Sequence, residues 1–433
     1  MTEFITRRQI FINTMLDNSI AIFPANEELI RSNDTEFRFR QNSDFYYLSG
    51  FNEPDACLVF VKKKGKAETV LFNRRKDKTA EIWHGYRLGQ DDAISMLAVD
   101  NAFPIDELEV QLGHILNNIE TIYYPVLSDL TLDKRLQTIL NSLRNKTRSG
   151  LITCNQFLNW QPQLHEMRLF KSPIEQDLMR TAGEISAQGH IRAMQRCKPG
   201  MWEFQLQAEV EYGFATHGTR DIAYNSIVAG GHNACILHYT ENDKQLQDGD
   251  LVLIDAGAEY QGYAGDITRT FPVNGRFSPE QSAIYQLVLA CQLLAIEQAT
   301  PGMSVLDINK LVVRKMCEGL LDLGILKGDL EILIKEEKYK AFYMHGLGHF
   351  LGLDVHDVGD AGTLDKPRAL QAGMVITIEP GLYISQTADV EERWKGIGVR
   401  IEDDLLITDT GNEVLTASVP KSIKDIEALM QHG

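Results

Sequence analysis

Short, nearly continuous apolar runs mark the second half of the chain: 251–254 (Leu-Val-Leu-Ile), 375–378 (Val-Ile-Thr-Ile) and 405–407 (Leu-Leu-Ile), with a β-rich stretch at 267–271 (Ile-Thr-Arg-Thr-Phe). Runs of this length bounded by Gly and Pro predict buried strands. Asp255 falls where the first run meets the Ala256-Gly257 turn, and Asp266 follows Gly262 and Gly265. Eleven positions separate the two acids, which suits neighbouring strands of a hairpin joined by the Gly-rich connection 260–265. Glu379 ends the run 375–378, and Pro380-Gly381 must stop that strand. From Val399 onward, alternation puts Arg400 and Glu402 on the face opposite their apolar neighbours.

In the first half, β-rich runs at 45–48, 56–61, 69–72 and 121–124 alternate with helical patterns such as 133–143, which predicts an α/β domain. Residues 160–170 read as a connector. Ser172, Pro173 and Glu175 then occupy N-cap, N1 and N3 of a helix reaching about Gln195, before Lys198-Pro199-Gly200. Residues 203–217 and 279–299 are further long helices. The expected class is α/β (α+β) in two domains, residues 1–168 and 169–433. The basic run 62–66 follows a strand and contains Gly65, so it reads as a solvated hairpin tip. No low-complexity segment or short-period repeat is present.

Composition narrows the function classes. With 433 residues, 44% hydrophobic and 24% charged, the chain has ample capacity for a buried core. A net charge of −17 argues against nucleic acid or an anionic membrane as partner. The first residues lack a continuous apolar region and no stretch reaches about 18 apolar residues, so neither signal peptide nor membrane span is expected. Six scattered cysteines without a CxxC pair fit a reducing cytoplasm.

Chemistry concentrates in the acids. Burying an ionised carboxylate costs several kcal/mol unless a positive charge meets it. Asp255, Asp266, Glu379 and Glu402, all in or at the ends of apolar runs, therefore require cations if they are buried together. Each has a plainer reading alone: a turn-forming Asp, a surface Glu before a turn, a solvated Arg/Glu face. Beside them, MHGLGHFLGLDVHDVG carries His345, His349 and His356. Its i, i+4 histidines would suggest a zincin helix, but Gly346 stands where the Glu should be, and three glycines disfavour a helix. A Gly-rich loop or strand edge approaching a ligand is expected, with a structural hydrogen-bonding role still open for one or two of these histidines. Four carboxylates and an imidazole form a hard donor set that suits a pair of divalent metals such as Mn, Fe or Co, and hydrolytic chemistry.

The segments 254–277 (IDAGAEYQGYAGDITRTFPVNGRF), 345–359, 377–383 (TIEPGLY) and 396–404 (GIGVRIEDD), with 40–59 (RQNSDFYYLSGFNEPDACLV) and 80–93 (AEIWHGYRLGQDDA) in the first half, closely resemble the aminopeptidase P family. Those are pita-bread metallopeptidases, related to prolidase, methionine aminopeptidase and creatinase. The likeness runs nearly end to end. It implies a creatinase/prolidase-type N-terminal domain and a C-terminal pita-bread domain that releases the residue before proline, using a hydroxide bridging two divalent metals, manganese above all. By resemblance, Asp255 would chelate one metal, Asp266 and Glu402 would bridge, and His349 and Glu379 would complete the second. Glu379 would also shuttle a proton, and His356 would stabilise the carbonyl oxygen. His238 and His345 would line the pocket for the P1 residue and the P1′ proline. Arg400 would orient the bridging acid, with a surface charge as the alternative. Tyr383 would hydrogen-bond near the substrate or serve as a packed strand aromatic. Trp83 would come from a neighbouring subunit of a homotetramer or homodimer. The implied partners are peptides with an Xaa-Pro N-terminus. Prolidase shares the five ligands and takes only dipeptides, whereas a non-catalytic pita-bread binding protein, or metal-free creatinase chemistry, would not need them all.

Overall fold

A computed structural model describes residues 2–431, and their contacts divide the chain into two compact units, Met1–Met167 and Arg168–Gly433. The first unit is built on a six-stranded sheet in the spatial order Asn101–Pro104, Lys66–Asn73, Cys57–Lys63, Ser19–Pro24, Thr121–Tyr123, Gln156–Leu158. The pairings on both sides of Cys57–Lys63 are antiparallel and the others parallel. Alternation sorts its side chains between two buried faces. Ile20, Ile22, Val59 and Phe72 meet the apolar stripe of the helix Leu130–Arg144, whereas Phe23 and Phe60 pack with Phe11 on the opposite side. Residues 62–66 form the turn of a hairpin, with Lys64 and Gly65 at positive φ.

Two expectations fail in this unit. Residues 45–48 lie in the helix Ser43–Ser49, not in a strand. The Asn42 side chain accepts the Phe45 N–H and Gly50 closes the other end in the left-handed region, so capping at both ends outweighs the β preference of the aromatics. Residues 160–170 are not a bare connector but contain the helix Gln161–Leu169, entered where the Asn159 side chain accepts the Gln161 N–H.

The second unit opens with the helix Pro173–Arg196 and the expected cap. Ser172 accepts from Glu175 N–H, Glu175 accepts from Ser172 N–H, and Pro173 follows the cap. This helix packs on Glu203–His217, and Pro279–Gln298 packs on Val305–Asp322. Small antiparallel sheets complete the unit. Leu251–Asp255 is central between Ile227–Gly230 and Thr268–Pro272, Asp403–Ile407 is central between Val375–Ile378 and Asn412–Val414, and Gly381–Ile384 pairs with Ile397–Arg400. Ile254, Ile376, Ile378, Val399, Ile401 and Leu405 share one core with those helices, which leaves the polar strand ends to face elsewhere. Among the described residues, no helix is long and apolar enough to cross a membrane, and the six cysteines are free.

Candidate metal centre

Each of the four acids sits where a strand stops. Asp255 closes its strand opposite Thr268, and Asp266 lies two residues before Thr268 on the partner side. The connection between them is more elaborate than a tight turn, for it holds a small ladder of Glu259–Tyr260 with Tyr263–Ala264. A close backbone approach gathers that ladder: a Cβ on Gly257 would fall 1.7 Å from the Gly265 carbonyl oxygen. Glu379 follows Val375–Ile378, and Glu402 occupies the gap between Ile397–Arg400 and Asp403–Ile407. The Glu402 N–H donates to Thr268 O at 3.1 Å, tying two of the sheets together at the acids. The histidine segment is a strand edge rather than a helix. Leu351 N–H donates to Val375 O and Thr377 N–H to His349 O, so the segment runs along Val375–Ile378.

Asp255, Asp266, Glu379, Glu402, His238, His345, His349, His356 and Arg400 all line one cavity of about 520 Å³. Within it, ligand atoms of Asp266, His349 and Glu402 lie within 4.8 Å of one another. His349 Nε2 is 3.5 Å from Asp266 Oδ2 and 3.8 Å from Glu379 Oε1. Arg400, 3% exposed, reaches Asp255 Oδ2 with Nη2 at 2.5 Å. Tyr383 does not line the cavity. It is buried, its hydroxyl accepts from Arg400 Nη1 at 3.0 Å, and it faces His345 Nε2 at 2.8 Å. With the Tyr383 proton directed to Nε2 and Gly346 O accepting from Nδ1, His345 is held neutral. Trp83 belongs to the first unit and is 79% exposed.

The electrostatics describe a site short of positive charge. Burial, then the neighbouring Asp255, pushes the Asp266 carboxyl up against the pull of His349. Burial, then Asp266, Glu379 and Asp255, holds Glu402 well above the usual carboxylate range. Burial raises Glu379 to about 7, opposed by Arg400 and His349. On His349 the penalty of burial is outweighed by the hydrogen bond and charge of Asp266, which raise it to about 9. His345 drops to about 4 through burial and then Arg400. Burial and the charge of His349 lower His356.

These residues fit divalent metal. Phe350 O accepts from His349 Nδ1 at 2.9 Å, which fixes the tautomer and leaves the Nε2 lone pair aimed at carboxylate oxygens. Two acceptors facing each other require a cation between them, and the raised His349 supplies a proton where a metal would otherwise sit. Sequence reasoning missed three participants. Tyr224 places its hydroxyl between Asp255 and Asp266. Thr268 Oγ1 donates to Glu402 Oε2 at 2.6 Å and accepts from Arg400 Nε at 3.0 Å. Asp404 Oδ2 accepts the Asp266 N–H at 2.9 Å. Thr268 and Asp404 stood inside the quoted segments, but Tyr224 had no flanking pattern to mark it.

Two family models match the chain: metallopeptidase family M24 over residues 177–409, and the aminopeptidase P N-terminal domain over residues 4–123. The Xaa-Pro aminopeptidase of Escherichia coli (strain K12) is 51% identical over 429 residues, spanning 99% of this chain and 97% of that protein. The mitochondrial intermediate cleaving peptidase 55 of Arabidopsis thaliana is 37% identical over 430 residues, spanning 99% and 83%. Proline aminopeptidase P II from Yersinia pestis has a similar solved structure, with a TM-score of 0.98 at 54% identity over 100% of this chain and 99% of that one. Zinc-substituted E. coli aminopeptidase P in complex with product gives a TM-score of 0.98 at 51% identity, over 99% and 98%.

Proposed function

The chain belongs to metallopeptidase family M24 and has the pita-bread domain preceded by an aminopeptidase P N-terminal domain; on that premise we propose that it is a metal-dependent Xaa-Pro aminopeptidase, removing the N-terminal residue from peptides with proline in second position. The observation that carries this reading is the convergence of Asp266, His349 and Glu402 beside a cavity whose carboxylates outnumber its cations. Asp255 and Glu379 complete five ligands for two divalent ions, and the oxygen-rich set favours manganese. Bound metal supplies a polarised scissile carbonyl and a water acidic enough to ionise near neutrality.

The side chains do the rest. Arg400 pins Asp255 while Thr268 pins Glu402, so both carboxylates keep their orientation through turnover. Glu379 takes a proton from the attacking water and hands it to the leaving proline nitrogen. That nitrogen belongs to a tertiary amide without an N–H and needs only protonation to depart. His356, exposed at the cavity, donates to the carbonyl oxygen as it gains negative charge. His238 and His345 wall the pocket for the P1 residue and the proline. The free amine of the peptide meets the acidic wall, which confines cleavage to the first bond. The enzyme acts in the cytoplasm as a homotetramer or homodimer, with Trp83 of a neighbouring subunit near the mouth.

Exhaustive dialysis against a chelator should abolish cleavage of Ala-Pro-Ala, and added Mn²⁺ should restore it. Full activity with metal removal verified by elemental analysis would overturn the reading. Cleavage of Ala-Pro but not Ala-Pro-Ala would identify a prolidase instead.

A further inference from the structure

Behind the histidine segment lies a cluster of buried charges that the chemistry above does not use. Asp357 follows His356 directly, and its carboxylate is 1% exposed. Oδ1 accepts from Arg168 Nη2 at 2.5 Å and Oδ2 from Lys171 Nζ at 2.8 Å. Arg168 also donates at 2.8 Å to Oδ2 of Asp354, a carboxylate at the exposed edge of the cluster, so two cations meet two anions. The Asp357 N–H donates to Phe350 O at 2.9 Å, the carbonyl that also accepts from His349 Nδ1. Gly352 crosses directly over the cluster. A Cβ there would fall 2.1 Å from Asp357 Oδ2 and 2.9 Å from Lys171 Cε, so the segment is drawn onto the ions as closely as a backbone allows.

His356 has no such support of its own. Among the described residues nothing hydrogen-bonds its ring, which meets the His349 ring edge to face with 4.4 Å between centres. Its placement is therefore transmitted through its own backbone, and that backbone is fixed one residue further on. Buried ion clusters add little net stability compared with apolar packing of the same volume. A carboxylate gripped from two sides does remove rotational freedom that a single hydrogen bond leaves.

The geometry points to Asp357, clamped by Lys171 and Arg168, as a positioning residue that holds His356 over the cavity. The inference rests on the assignment of His356 to the substrate carbonyl oxygen. Asp357 touches neither substrate nor reacting atoms, and acts only through its neighbours.

The test compares Asp357→Asn in the parent and in a His356→Ala background, reading kcat and KM on Ala-Pro-Ala, bound metal, and amide hydrogen exchange across residues 350–357. In the parent, kcat should fall about 10–100-fold with KM and metal content nearly unchanged, and exchange across the segment should quicken. In the His356→Ala background the same change should cost no further rate. Lys171→Arg should retain most of the rate while Lys171→Met loses it. Equal losses in both backgrounds, or a parent-like kcat and exchange pattern in Asp357→Asn, would overturn the clamp. If Asp357→Asn does not fold, Lys171→Met with and without His356→Ala carries the same comparison. A parent enzyme inactive on Xaa-Pro peptides would instead refute the functional reading, and the exchange arm would still decide the clamp.

Discussion

Glu379 faces His345 Nδ1 and His349 Nε2 at 3.8 Å each and caps a strand without being part of it. Glu379→Ala should therefore leave the fold intact and lower kcat by about 10²–10⁴-fold, the usual worth of a positioned proton carrier. Steady-state assays beside circular dichroism check this, and a parent-like rate would remove Glu379 from the proton path. The same residues set how stability of the metal-free protein depends on pH. Glu379, Asp266 and Glu402 have raised affinities for protons in the folded state, and so does His349, so the folded state holds more protons than the unfolded chain and loses stability as pH rises. Below about 6.5, His190 and His345, both lowered to about 4 with burial as the main cause, work in the opposite direction. Between pH 6.5 and 9 only the destabilising sign remains, at up to about 1.4 kcal/mol per pH unit for each proton concerned. Thermal melts of chelated protein should show Tm falling across that window and the slope flattening when Mn²⁺ is added. A flat profile without metal would contradict the charge deficit.

At the level of elements, the site depends on how closely strand ends can approach. Gly257→Ala would drive a methyl group into the Gly265 carbonyl, and the ladder between Asp255 and Asp266 must then open. A cost of about 1–3 kcal/mol is expected, together with weakened metal retention. Denaturant unfolding and metal titration of the variant measure both, and tight metal binding at parental stability would show the approach to be dispensable. Much of this architecture was legible in the chain. The apolar runs ending in Asp255 and Glu379 are strands, and the Ser172 cap begins a helix as read. Residues 45–48 misled because Phe45, Tyr46 and Tyr47 favour strands, while the decisive signals, Asn42 and Gly50, lay outside the run. Tyr224 and the Lys171–Asp357 pair were illegible for another reason: their partners lie 31 or more positions away in sequence, where no local period reports them.

For the whole molecule, the exposed apolar group in the first unit is the feature to explain. Ile82, Trp83 and Tyr86 are 80%, 79% and 95% exposed within a single short stretch. A surface of this kind suits contact with a protein partner, and the partner proposed above is another copy of the chain. Trp83→Ala should weaken self-association by about 30-fold or more if the residue is a binding hot spot, and reduce peptidase activity at dilute concentration. Sedimentation velocity over a concentration series reads the first effect, and an unchanged assembly would disconnect Trp83 from it. Within the second unit, the acids reach the cavity from strands far apart in the chain, since Glu402 comes 147 positions after Asp255. During translation the set of acids is therefore incomplete until codon 402 has been read and its product has cleared the ribosome. A message truncated before that point would encode a chain without Glu402, which is expected to show no cleavage of Ala-Pro-Ala.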